Sequence, residues 1–195
     1  MAMILLGRKK CIEDEREGLY YGFEMDVRAR KAGIALKAQK KLDDRYNEEE
    51  KLGTPDRLVA WMNAVLEGTH APCPSSQWRK IHFYLRDGVV LCKFICKLRV
   101  AAGMDSVKFM ANAHTPFVAM ENISVFNKAA MDYGVEEEAT FQSADLYEGQ
   151  TKGALINVIN CLNRLGFVAN SKGFTPSYEF MPPPTHDDDH WTAKA

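Results

Sequence analysis

The sequence predicts an all-α domain, and three observations carry that prediction. Apolar residues recur at three- and four-residue intervals in several separate stretches. No stretch alternates with period two. Proline and glycine fall where those stretches begin or stop. Of the 195 residues, 46% are apolar and 26% charged, which supplies a core and argues against wholesale disorder. One domain with short extensions is expected.

Residues 1–32 mix charges with Gly18, Gly22 and Tyr20-Tyr21, show no sustained period, and read as an N-terminal extension. A polar helix is expected over 34–50, with Ile34, Ala38, Leu42 and Tyr46 as a narrow apolar stripe. Thr54-Pro55-Asp56 reads as a helix start, with Thr54 as the cap, proline in the first turn and an acid on the positive dipole end. Leu58, Trp61, Met62, Val65 and Leu66 then form a stripe that places Trp61 in the core, and Gly68 marks the stop. Residues 69–76, with Pro72 and Pro74, form a loop.

A short helix over about 77–85 leads to Asp87-Gly88, a turn whose aspartate can cap the next helix. That helix, 89–100, buries Leu91, Phe94, Ile95 and Leu98 and leaves Lys93 and Lys97 opposite. Residues 101–113 lack a period and read as a long surface loop. Thr115-Pro116 is another cap-and-proline start for a helix reaching Tyr133-Gly134, with Met120, Ile123 and Ala130 inward and Phe126 at the edge. Asn127 shares that stripe and, if buried, needs a partner. Short turns follow. A final helix opens at Thr151, carries Leu155, Val158, Cys161, Leu162 and Leu165 on one face, and is expected to stop at Gly166. About four main helices and two or three short ones result, over 33–168, with a proline-rich and acidic tail at 169–195.

Net charge is −1, which gives no bulk attraction to nucleic acid or membrane. The charge is segregated, however: residues 77–100 hold six basic groups against one acidic, and 121–148 hold one against seven. An interleaved basic and aromatic surface for nucleic acid is absent, and no run approaches a bilayer span. Five cysteines without a CxxC pair point to a reducing compartment, and with no targeting pattern at the start the chain reads as cytoplasmic.

Catalytic patterns are not found. Gly149-Gln150-Thr151-Lys152-Gly153 lacks the order of a phosphate loop and reads as a helix cap. His70, Cys73, His82 and Cys92 have no zinc spacing, and His186 and His190 around three aspartates read as a solvated tail. No nucleophile–base pair stands out, so no catalytic residue, metal site or cofactor is expected. The best binding candidates are Arg79, Lys80, Arg86, Lys93 and Lys97; an ordinary solvated helix face is the competing interpretation.

Several segments, in order, resemble the calponin homology domain of calponins, transgelins and related small muscle proteins. They are the Asp43-Asp44-Arg45-Tyr46 ending of the first helix, Trp61, Leu85-Arg86-Asp87-Gly88-Val89-Val90-Leu91-Cys92, Met120-Glu121-Asn122-Ile123, Tyr133-Gly134-Val135, Asp145-Leu146-Tyr147-Glu148 and Leu165-Gly166. The resemblance implies a helical domain with Trp61 buried and a non-enzymatic role at the actin cytoskeleton. It names filamentous actin as partner, and signalling kinases for members acting as adaptors. The short Gly-Leu-Gln-Met-Gly repeat that follows the domain in calponins, a main actin contact there, has only Asn170-Ser171-Lys172-Gly173-Phe174 in its place.

Overall fold

The computed structural model describes residues 33–179. The N-terminal extension and the His186–His190 stretch of the sequence reading lie outside the described residues. Among these, seven α-helices run in the order α1 (Ile34–Lys51), α2 (Thr54–Val65), α3 (Trp78–Leu85), α4 (Val89–Ala101), α5 (Pro116–Tyr133), α6 (Ser143–Tyr147) and α7 (Lys152–Ser171). One 3-10 turn, Glu137–Ala139, sits between α5 and α6, and no strand occurs among the described residues. The expected all-α class is what forms.

Two helices organise the core. In α4, Leu91, Cys92, Phe94, Ile95 and Leu98 are fully buried. α7 lies against α1, α2, α3 and α6, while α4 packs on α2, α3 and α5. A helix enclosed on several sides must be apolar on more than one stripe, which is why α4 and α7 carry the densest apolar runs. The DG turn before α4 matters here. Gly88 has φ 72° and presses on α5, and a Cβ there would stand 2.7 Å from that of Asn122 and 2.9 Å from the Ile123 amide nitrogen. Glycine supplies both the backbone conformation and the close approach. Gly88 itself takes the cap position of α4, and Asp87, one residue earlier, accepts from the Val89 N–H at 2.9 Å.

Several local expectations are corrected. Gly53, at φ 69°, takes the cap position of α2, and Thr54 is already helical. The Thr54 hydroxyl is diverted to the Glu49 carboxylate, to which it donates at 2.7 Å. In α1 the stripe is buried only at its C-terminal end: Tyr46 is enclosed and Leu42 half-buried, while Ile34 is exposed. The inward face of α5 holds Ala119, Asn122, Ile123 and a fully buried Phe126, with Met120 half-buried. The face is turned because Asn122 finds internal partners, described below. Asn127 also finds one, donating to the Phe141 carbonyl at 2.7 Å.

Gly166 does not end α7, which continues to Ser171, so the expected boundary at 168 falls inside a helix. The glycine is required for packing: a Cβ would collide with the Tyr178 ring. Residues 174–179 return across α7 as a strap. Asn170 clasps Tyr178 through its amide, donating to the Tyr178 carbonyl at 2.7 Å and accepting from its N–H at 2.8 Å. Trp61 is buried as expected, edge-on to Phe94 with ring centroids 4.9 Å apart. Its indole N–H donates to the Pro176 carbonyl at 2.8 Å, which satisfies the one polar atom that burial would otherwise strand.

Candidate partner-binding groove

The strap has a consequence for the surface. Between it and α4 lies a groove of about 520 Å³. Its apolar lining comes from Val65 at the end of α2, Val100 of α4, Phe109 of the 102–115 loop, and Phe174 and Pro176 of the strap. Lys93 and Lys97, one helical turn apart on α4, line the same groove.

The loop that contributes Phe109 is held by one buried side chain. The Asn122 carbonyl oxygen accepts from the Met110 N–H at 3.0 Å. Its amide N–H groups donate to the Met110 carbonyl at 2.9 Å and the Asp87 carbonyl at 3.2 Å. One residue of α5 therefore fastens both the loop and the α3–α4 turn. Arg99, buried at the far end of α4, donates to the carbonyls of Asp105 and Ala129 at 2.9 and 3.4 Å and lies 3.7 Å from the Asp132 carboxylate. It is one of the six basic groups of 77–100, and its charge is spent inside the fold.

The five basic residues singled out in the sequence fare differently. Lys97 is exposed and has no anionic partner among the described residues. The Lys93 ammonium donates to His70 Nδ1 at 3.2 Å, a neutral acceptor. Burial, helped by that ammonium, holds the His70 pKa below its ordinary value. Arg79 and Lys80 are exposed in the first turn of α3, with the Arg79 guanidinium 5.2 Å from the centre of the Trp78 ring. Arg86 is turned to α6. It donates to the Tyr147 carbonyl at 3.0 Å, and its guanidinium lies 4.6 Å from the centre of that residue's ring. Lys93 and Lys97 thus share one site, while Arg86 serves a structural contact. The groove's lining from 102–115 and from the strap was missed. Val107 and Phe109, apolar points in a stretch without period, were the available signal.

Of the histidines and cysteines considered for chemistry, the four described ones, His70, Cys73, His82 and Cys92, are each engaged separately. His82 Nε2 pairs with the Leu146 carbonyl at 2.8 Å, and the Cys92 thiol donates to the Asn122 carbonyl at 3.2 Å. Burial pushes the Cys92 and Cys161 thiols up to about 12, the opposite of what a nucleophile needs. The amides at the start of α7 also have an anion from within the chain, since the Gly153 N–H donates to the Asp43 carboxylate at 2.8 Å. No helix among the described residues is long and apolar enough to cross a membrane.

The described residues thus form a seven-helix domain with one apolar groove flanked by two lysines. Residues 54–167 match the model of the calponin homology (CH) domain, and the chain belongs to that family. The fold also matches the crystal structure of the calponin-homology domain of Rng2 from Schizosaccharomyces pombe, with a TM-score of 0.54 and 20% identity. That match covers 77% of this chain and 84% of the Rng2 chain. CH domains are typically non-enzymatic structural or binding modules, commonly of cytoskeletal proteins.

Proposed function

We propose that this chain is a non-enzymatic cytoplasmic protein that binds or regulates actin filaments through its single CH domain, in the manner of the calponin and transgelin group. The observation that carries the reading is the pair Lys93 and Lys97. They are one turn apart, beside apolar surface, and lack an anionic partner among the described residues. An acidic, partly apolar protein surface is the complement of such a site. Arg79 and Lys80 add charge on α3, and Arg86 contributes only through its fixed place against α6.

Co-sedimentation of the full chain with filamentous actin tests this. Pelleting should occur at low salt and fall as salt rises, because exposed charges are screened within a Debye length. Lys93→Glu together with Lys97→Glu should reduce pelleting at least about tenfold, since opposed charges are replaced by like ones. The melting temperature should fall only slightly, by what loss of the Lys93–His70 contact costs. Pelleting by the double variant at the level of the unaltered chain would remove the α4 face from the reading. The apolar lining of the groove favours a second reading, an adaptor for a signalling kinase or another cytoskeletal protein. Its mark would be a complex insensitive to salt, formed by a chain that does not pellet with filaments.

A further inference from the structure

The groove is walled in part by Phe174, Thr175 and Pro176, and the chain that makes this wall continues into residues 180–195. That continuation contains Asp187-Asp188-Asp189 followed by His190 and Trp191. Three adjacent carboxylates and an indole are the chemistry the groove would select, two lysines without an anion beside an apolar lining. We propose that residues 186–191 are the groove's own occupant: the aspartates meet Lys93 and Lys97, and Trp191 covers the apolar lining.

Reach and tethering both favour this occupant. Asp187 is eleven residues beyond Pro176. At up to about 3.3–3.6 Å per residue, that length allows the chain to turn and reach the lysines. A segment joined to the groove wall acts at an effective concentration in the millimolar range, so individually weak ion pairs suffice to hold it. Residues 1–32 hold an acidic run of their own, Glu13-Asp14-Glu15, but their seven basic groups against six acidic leave that stretch net positive, and it has no tryptophan and no link to the groove wall comparable to that of the 180–195 continuation. The seated segment withholds Lys93 and Lys97 from other acidic surfaces, so partner binding through α4 is self-limited. The inference stands apart from the filament reading, because neither measurement below involves a filament.

The test is zero-length carbodiimide cross-linking of the full chain, as an equal mixture of light and isotopically heavy protein, with peptide mass mapping. Links from Lys93 or Lys97 to Asp187, Asp188 or Asp189 are expected within chains of one label, and they should disappear at high salt. The second measurement uses Cys96, half-buried in the groove lining. Its alkylation should be several-fold faster in the variant Asp187→Asn, Asp188→Asn, Asp189→Asn, at unchanged melting temperature. Absence of these links overturns the proposal, as do equal alkylation rates. Links joining heavy to light chains also overturn it and assign the groove to a second copy.

Discussion

Arg86 and Lys97 stand eleven residues apart in one basic stretch, yet the fold puts them to opposite uses. At the α3–α6 contact, the basic groups are consumed inside the molecule. The five-residue helix α6 ends with carbonyls that have no further helical turn to bond them. His82 and Arg86, both from the end of α3, supply the missing donors to Leu146 and Tyr147. At the α4 groove, Lys93 and Lys97 meet no carboxylate among the described residues. A cluster of like charges in a sequence therefore marks two different things. Where helix ends are short of donors it is structural, and where the neighbours are apolar it keeps its charge without an ion pair among the described residues.

The largest expected effect comes from the residue that separates these regions. Asn122→Ala would leave the Met110 N–H and two carbonyls without their buried partner, at a cost of about 2–4 kcal/mol in chemical denaturation. Because Met110 adjoins Phe109, the loss should also slacken the groove wall. Amide exchange over 104–113 is expected to quicken while α6 keeps its protection. Quickened exchange in α6 as well would mean that the two regions open as one unit, and the contrast between them would fail.

Arg86→Ala is expected to act more weakly and in the reverse sense to the charge reversals on α4. Removing the hydrogen bond to Tyr147 and the contact with its ring should cost about 1–2 kcal/mol. Filament pelleting, measured well below the melting temperature, should not change. A variant of undiminished stability that no longer pellets would return Arg86 to the binding surface.

The helices were legible in the sequence because their apolar spacing and their stops are local properties. Val89–Ala101 and Pro116–Tyr133 fall within a residue or two of the stretches read from periodicity and caps. What was not legible depended on residues far away in the chain. Gly166 looked like a helix end, yet it is a helical glycine that admits Tyr178, twelve residues on. Thr54 looked like a cap, but Glu49 draws off its hydroxyl. Asn122 carries no local sign of burial, because its partners, Met110 twelve residues back and Asp87 thirty-five back, lie outside its helix. The site was half legible for the same reason. Lys93 and Lys97 follow from α4 periodicity, whereas the apolar lining from Phe109 and Phe174 is set by tertiary contact alone.

The smallest expected effect is a pH dependence centred on the α3–α6 contact. His82 is buried, and burial chiefly, with Arg86 adding to it, lowers its pKa from the ordinary 6.5 despite the opposing Leu146 carbonyl. Since the carbonyl can only accept, the neutral ring carries its proton on Nε2. Above about pH 6.5 the ring is neutral in both folded and unfolded chains and stability is flat with respect to it. As pH falls below that value, the unfolded chain takes up a proton that the folded chain resists, so stability declines until the lowered folded pKa is passed. The denaturation midpoint should drop between about pH 7.5 and about pH 5.5. His82→Gln should be less stable by about 1 kcal/mol at the upper pH and should decline less on acidification. His70, whose pKa is lowered as well, leaves a residual slope in that variant. Arg86→Ala should shrink the slope too, because it removes a neighbouring positive charge from the ring. A His82→Gln chain with the full slope would assign the pH dependence to the groove side, through His70 and Lys93.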